Sequence, residues 1–468
     1  MASETVTIPK LEEGIELHGI ERVSPTTRAH VRILDNFTMW LSANLVISTV
    51  ALGALANVIF GLGLWASLAI ILIFNALGVL PVAFFSTLGP RLGLRQMTIS
   101  RFSFGWVGAI IMAIFNVAAC IGWSAVNVII GGQLVAALSN GAIPSWAGIL
   151  IIAALTTLVS IYGYKYVHRY ERYAWIPMAI IFLIILIVSA PHFQIIPTPA
   201  LNAATIAGMV SFGAAIYGFA TGWSSYAADY NVNQPEETPV SRVFWLTFLG
   251  VFIPCVLLET FGVLLTSVSS LKGLLGGDLL AGAVTPLGTF GKIIVGLLTL
   301  SVIANNIPND YSLGLSMQVL GKWFERVNRA IWTLIGAVLY IVIALLTSAN
   351  FGHTLESFLL IVAYWLGPWA TILILEHFVF RRRKYNVDDW DTSSKLPIGW
   401  AAIISMAIGL VGVVLGAAQV VNNTPVVGPI ARLVNPPYGM DVGFELGVVL
   451  AATYYLILRP LELNITQR

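Results

Sequence analysis

Charge is scarce in this chain: Asp, Glu, Lys and Arg make up 10% of its 468 residues, against roughly 25% in a soluble domain. That deficit excludes an ordinary water-exposed surface. Cysteine is nearly missing as well. The two present, Cys120 and Cys255, lie inside apolar runs, which excludes a disulfide framework. The six histidines (His18, His30, His168, His192, His353 and His377) fall in loops or at the ends of apolar runs. No HExxH, CxxC or P-loop pattern occurs. An intramembrane metalloenzyme therefore lacks a ligand set, and neither a metal nor a cofactor is expected. A secretory leader is not expected either, because residues 1–35 are polar and charged and the first apolar run is of full spanning length. The net charge of +2 says nothing about partners. No feature calls for nucleic acid or for an obligatory protein partner.

What the chain has in abundance is apolar sequence, 58% of its residues, with a mean hydropathy of +0.87. Runs of about 20 apolar residues, the length that crosses a bilayer, predict an all-α polytopic membrane protein with twelve transmembrane helices. They run near 36–60, 64–87, 105–137, 144–163, 172–190, 205–226, 243–268, 289–319, 329–348, 355–376, 398–421 and 440–458. An even number puts both termini on one side. Of the 24 basic residues, 21 fall on the segments that share a side with the termini, leaving Lys272, Lys292 and Arg432 opposite. The positive-inside rule then makes both termini cytoplasmic, as expected of a multi-pass protein of the plasma membrane. The run Arg381-Arg382-Arg383-Lys384 reads as a topology signal and headgroup anchor.

Polar residues inside the runs are few and clustered. Span 3 carries Trp123 and Asn127, four apart and so on one helical face. A buried amide without a partner costs about 1–3 kcal/mol, so Asn127 needs another helix or a ligand. Span 1 holds Ser42, Asn44, Ser48, Thr49 and Gly53; span 6 holds Gly213, Gly218 and Gly222 beside Trp223. Such interruptions at positions 1 and 6 predict a 5+5 inverted repeat (LeuT-like) with discontinuous helices at the midplane, followed by two C-terminal helices. The expected division is a tail (1–35), repeat 1 (36–190), repeat 2 (205–376), a loop (377–397), a last helix pair (398–458) and a second tail (459–468). Span 8 contains Asn305-Asn306-Ile307-Pro308-Asn309-Asp310, too many amides for ordinary helix packing. Pro308 frees the carbonyl of Ala304 and predicts a kink. Gly367-Pro368 in span 10 is a second hinge candidate, with a static kink as its other reading.

These residues resemble the nucleobase:cation symporter-1 family, in particular its purine–cytosine permeases of the fungal type. The resemblance extends from about Glu16 to Pro460. It rests on Gly89-Pro90-Arg91-Leu92-Gly93 leading to Ser100-Arg101-Phe102-Ser103-Phe104-Gly105, on Gly122 through Asn127, on Gly222 through Tyr230, and on Asn305 through Asn309. It implies a secondary active transporter for purine bases or cytosine, embedded in the bilayer, with the substrate between spans 1, 3, 6 and 8. Carried over by position, the two aromatic sandwich residues are Trp123 and Trp223, the amides are Asn127 and Asn309, and the span 1 polar residue is Ser48. Gly222 and Asn305 are added as neighbours. Stacking suits a flat heterocycle, at roughly 1–3 kcal/mol per aromatic face. An amide suits the mixed donor and acceptor edge of a base.

The coupling ion is where the chain departs from part of that family. The resemblance places a sodium site at span 1 carbonyls, here Asn44 and Ile47, and at two span 8 hydroxyls whose positions are occupied by Ile303 and Ala304. Neither side chain offers oxygen to a hard cation, although Ser301 lies nearby. Proton coupling is expected instead, with sodium the alternative. Glu259 is the leading carrier, and Asp310 and Asp229 are further carboxylates in or beside the spans. A carrier of another flat heterocycle (uracil, allantoin, hydantoin or pyridoxine) is the runner-up. A membrane enzyme would need a catalytic constellation at an interface, and a channel would need polar residues along its whole length.

Overall fold

The computed structural model describes residues 20–28, 33–162, 173–421 and 424–468. Lys10, Arg32, Lys165, Arg169, Arg172, His18, His30 and His168 lie outside the described residues, so the topology read from those charges stands on sequence. In hydrocarbon every backbone polar group needs a partner within its own segment, and the apolar runs accordingly form helices. These are α1 (Asp35–Asn44), α2 (Ile47–Val58), α3 (Leu64–Ser86), α4 (Arg101–Leu138), α5 (Ser145–Tyr162), α6 (Trp175–Ser189) and α7 (Ala203–Thr221). They are followed by α8 (Val240–Leu265), α9 (Gly276–Val284), α10 (Thr289–Val319), α11 (Arg329–Thr347), α12 (Phe351–Leu375), α13 (Trp400–Gly416) and α14 (Gly443–Thr466). Among the described residues, eight helical stretches are long and apolar enough to cross a membrane by themselves, one of them running α11 and α12 together. α1 and α2 make one further span, bent by 52°.

The helices fall into two packed groups. α3 lies against α7 and α8, while α1 and α2 lie against α8. α4 packs along α10, and α5 and α11 pack on both. Spans 1, 2, 6 and 7 thus form one body and spans 3, 4, 8 and 9 the other, as an inverted repeat requires. Small residues allow the closest approaches. A Cβ on Gly53 of α2 would stand 1.9 Å from the carbonyl oxygen of Glu259 on α8, and one on Gly262 of α8 would stand 2.1 Å from that of Val50. α12 bridges α7 and α14, and α13 pairs with α14.

One expectation needs correction. Span 11 stops at Gly416, and Ala418–Val421 pairs antiparallel with Thr424–Val427 as β1 and β2. Valines on either side of Asn422-Asn423 carry that strand signal. Pro308 lies inside α10, which runs past it as one helix. Gly367 and Pro368 likewise sit inside α12, where Pro368 fits against Gly409 and Gly447 of the last two helices. The basic run does more than mark topology. Arg381 pairs with the buried Glu376 at 3.0 Å and donates to the carbonyl of Phe102 at 2.8 Å. Arg459 of α14 holds Glu376 with two nitrogens, at 2.9 and 3.0 Å, and reaches Glu462 at 3.0 Å. Both tails meet this loop, through Arg22 on Asp388 at 2.8 Å and Arg468 on the Ser394 carbonyl.

Candidate functional site

The break in the first span is written into its side chains. Asn44 turns its amide back onto the carbonyl of Trp40 at 2.9 Å, and Thr49 donates to the main-chain oxygen of Asn44 at 2.7 Å. These bonds substitute for the helical ladder across Leu45 and Val46, which leave helical geometry. The β-branched run Val46-Ile47 favours the extended backbone that Val46 adopts. In the sixth span α7 ends at Thr221. Gly222–Tyr230 then tightens into a 3-10 helix in which Tyr226 has non-helical dihedrals. Beyond it, Asp229 is occupied structurally: its carboxylate accepts the backbone N–H of Gln96 at 2.6 Å, capping the short helix Gln96–Ile99. The 89–105 signature is thereby fastened to the end of the broken span.

Between the two breaks, α4 and α10 lies a cavity whose empty space, open solvent included, is about 340 Å³. Its wall brings together all seven residues expected to meet substrate: Ser48, Trp123, Asn127, Gly222, Trp223, Asn305 and Asn309. Phe219, Tyr226, Ala43 and Val46 complete it, and sequence reasoning had not singled them out. Phe219 stands four residues before Trp223, a helical spacing that marks it in retrospect. A second cavity of about 500 Å³ beside α1 shares Ala43, Val46 and Asn305 with the first and reaches Trp40, Ser301 and Pro308.

Each indole is held by edge-to-face neighbours. Trp123 meets Phe219 at 5.4 Å and Phe358 at 4.9 Å, and Trp223 meets Trp40 at 5.6 Å and Tyr226 at 5.5 Å. Trp223 is further pinned by donating Nε1–H to Asn44 Oδ1 at 2.8 Å. A Cβ on Gly222 would stand 3.3 Å from the Trp123 ring, so the absence of a side chain there leaves that indole its place. The amides form one network behind the wall. Asn127 and Asn309 each donate to Asn306 Oδ1 at 3.2 Å, and Asn305 donates to Asn127 Oδ1 at 3.4 Å.

The ion candidates scatter. Ile47 opens α2 and is buried. Ser301 spends its hydroxyl on the carbonyl of Leu298 at 2.7 Å. Glu259 is fully buried outside the cavity, accepting from Asn75 of α3 at 2.5 Å, with its other oxygen unpartnered. Cys255, one turn earlier, donates weakly to Asn44 Oδ1 at 3.5 Å. Asp310 faces away from the cavity, into the seam of α4, α5 and α10. It accepts from Ser160 at 2.9 Å and, weakly, from Ser124 at 3.5 Å.

A helical bundle long and apolar enough to span a membrane, with a cavity at two broken helices, is an architecture that known proteins carry. A solved structure of Mhp1, a nucleobase-cation-symport-1 family transporter in a closed conformation with bromovinylhydantoin bound, superposes with a TM-score of 0.75. It covers 96% of this chain and 97% of that one, at 14% identity. The fold is therefore the inverted-repeat transporter fold expected from the sequence. The sequence profile of the family described as permease for cytosine/purines, uracil, thiamine, allantoin matches residues 24–439; the chain belongs to that family. Purine-cytosine permease fcyB of Emericella nidulans is 42% identical over 97% of this chain and 90% of its own length. Vitamin B6 transporter TPN1 of Saccharomyces cerevisiae is 32% identical over 96% and 88%.

Proposed function

We propose that this protein imports purine bases, cytosine or both across the plasma membrane by proton symport, alternating access around the 340 Å³ cavity. One observation carries the reading: two indoles on α4 and the broken sixth span, with amides from α4 and α10, share one wall. Stacking surfaces and two-point amides are what a neutral, flat, hydrogen-bonding heterocycle requires. The similarity to purine–cytosine permeases supports the same substrate class. Both termini face the cytoplasm in this reading, and the two repeats are 36–190 and 205–376. A sodium site finds little support, since Ile303 and Ala304 offer no side-chain oxygen. The test is uptake of radiolabelled cytosine and hypoxanthine into proteoliposomes. Saturable uptake of either, blocked by the other unlabelled base, is the expected result. Uptake of neither overturns the assignment. The similarity to a vitamin B6 transporter supports a second reading, a pyridoxine-type substrate, and labelled pyridoxine belongs in the same assay.

A further inference from the structure

Asn306 does not line the cavity, yet it sets how the cavity's amides present themselves. It is fully buried, and its one side-chain oxygen accepts from both Asn127 and Asn309. An amide has a donor end and an acceptor end of nearly equal shape, exchanged by a half-turn of the side chain. Two amides tied to the same end of Asn306 must therefore share one sense. With their nitrogens turned to Asn306, the Asn309 oxygen and the second lone pair of the Asn127 oxygen, whose first is met by Asn305, are left for a ligand. If Asn306 turned over, its nitrogen would donate to both oxygens, and both nitrogens would be left for a ligand instead. Asn305 extends the set, because its partner is Asn127 Oδ1.

What decides the sense is not on the far side of Asn306. Its Nδ2 is buried without a hydrogen-bond partner. The surroundings therefore hold neither orientation in place, and turning over replaces an unpaired donor with an unpaired acceptor, the milder of the two. We infer that Asn306 couples Asn127, Asn309 and Asn305 into a set that reverses together, so that the ligand selects an acceptor-rich or a donor-rich face of the same cavity. This inference rests on the nucleobase reading. It explains how one wall accepts both an amine and a carbonyl at the same ring position without moving a helix. Asn306 is a positioning residue in this scheme, acting through the amides that touch the ligand.

The test uses pairs of bases that differ by that swap, adenine against hypoxanthine and cytosine against uracil, competing for binding to the purified full-length protein. Asn306→Asp has the same shape and, when ionised, only acceptors, so it holds both nitrogens inward and leaves the oxygens to the ligand. The amine member of each pair should gain at least tenfold over its carbonyl partner, relative to wild type. Asn306→Leu releases both amides and should flatten the ratio within each pair while weakening all four ligands. Correctly inserted variants that both keep the wild-type ratios overturn the coupling and leave Asn306 a packing residue. A wild-type protein that binds none of the four overturns the nucleobase reading itself.

Discussion

Trp123 and Trp223 are fixed by different means, and substitution should separate their roles. Trp123 meets the rings of Phe219 and Phe358 edge to face, whereas Trp223 also hydrogen-bonds Asn44 across the break in the first span. Trp123→Ala should weaken base binding at least tenfold, about 1.4 kcal/mol, in a protein that still inserts and melts normally. Wild-type affinity in that variant would make Trp123 a packing residue. Trp223→Phe keeps a stacking face and deletes the N–H, leaving Asn44 Oδ1 with only the weak thiol donor of Cys255. It should lower transport rate more than equilibrium affinity, because the lost bond joins the sixth span to the first. Asn309→Ala removes one ligand-facing amide and should change the order of competing bases; an unchanged order in an active variant would return Asn309 to a structural role. These positions were legible from spacing and type: an aromatic and an amide one turn apart in span 3, a second aromatic in span 6 and a second amide in span 8. Asn306 was read only as part of an amide-rich run. No periodicity announces that one oxygen serves two donors from different helices.

At the scale of elements, the breaks in spans 1 and 6 were visible because hydroxyls, amides and glycines have no reason to sit in a lipid-facing helix. Their form was not. That α7 passes into a 3-10 helix at Gly222, or that Thr49 closes the Asn44 carbonyl, depends on tertiary neighbours rather than on local propensity. The hairpin after α13 was missed because its valines extended an apolar run already long enough to be a span. Close packing gives this scale its prediction. α2 and α8 touch backbone to backbone at Gly53 and Gly262, and Gly53 rests on the turn that carries Glu259. Gly53→Leu must push α2 off α8, and should abolish transport and lower the melting temperature of the detergent-solubilised protein. Arg459→Leu should also destabilise it, because the buried Glu462 would lose its cation and Glu376 would keep only Arg381 among its cations. A melting temperature unchanged by either substitution contradicts the packing described.

For the whole molecule, the division into two helix groups turns the position of the carboxylates into a statement about coupling. Glu259 belongs to the group containing the broken spans, and Asp310 to the group of α4, α5, α10 and α11. Asp310 has a serine on each oxygen, although the Ser124 bond is long. Glu259 has one oxygen satisfied and one bare, and it belongs to the body that must turn against the other if the two rock around the cavity. A short polar path also leads from its helix to the site, because Cys255, one turn before it, touches the same Asn44 oxygen that holds Trp223. A carboxyl group with an unspent oxygen in a body that turns can take a proton in one conformation and release it in the other, and it needs no cage of ligands. The Ile303 and Ala304 side chains offer no such cage to sodium. In proteoliposomes, an inward pH gradient with no sodium present should therefore drive accumulation of base, and an inward sodium gradient at equal pH should not. Glu259→Gln keeps the shape and removes the titration. It should abolish accumulation under the pH gradient while preserving exchange of internal for external base at equal pH. Accumulation driven by sodium alone would overturn proton coupling. Full pH-driven accumulation in Glu259→Gln would move the carrier elsewhere, with Asp310→Asn the next substitution to test.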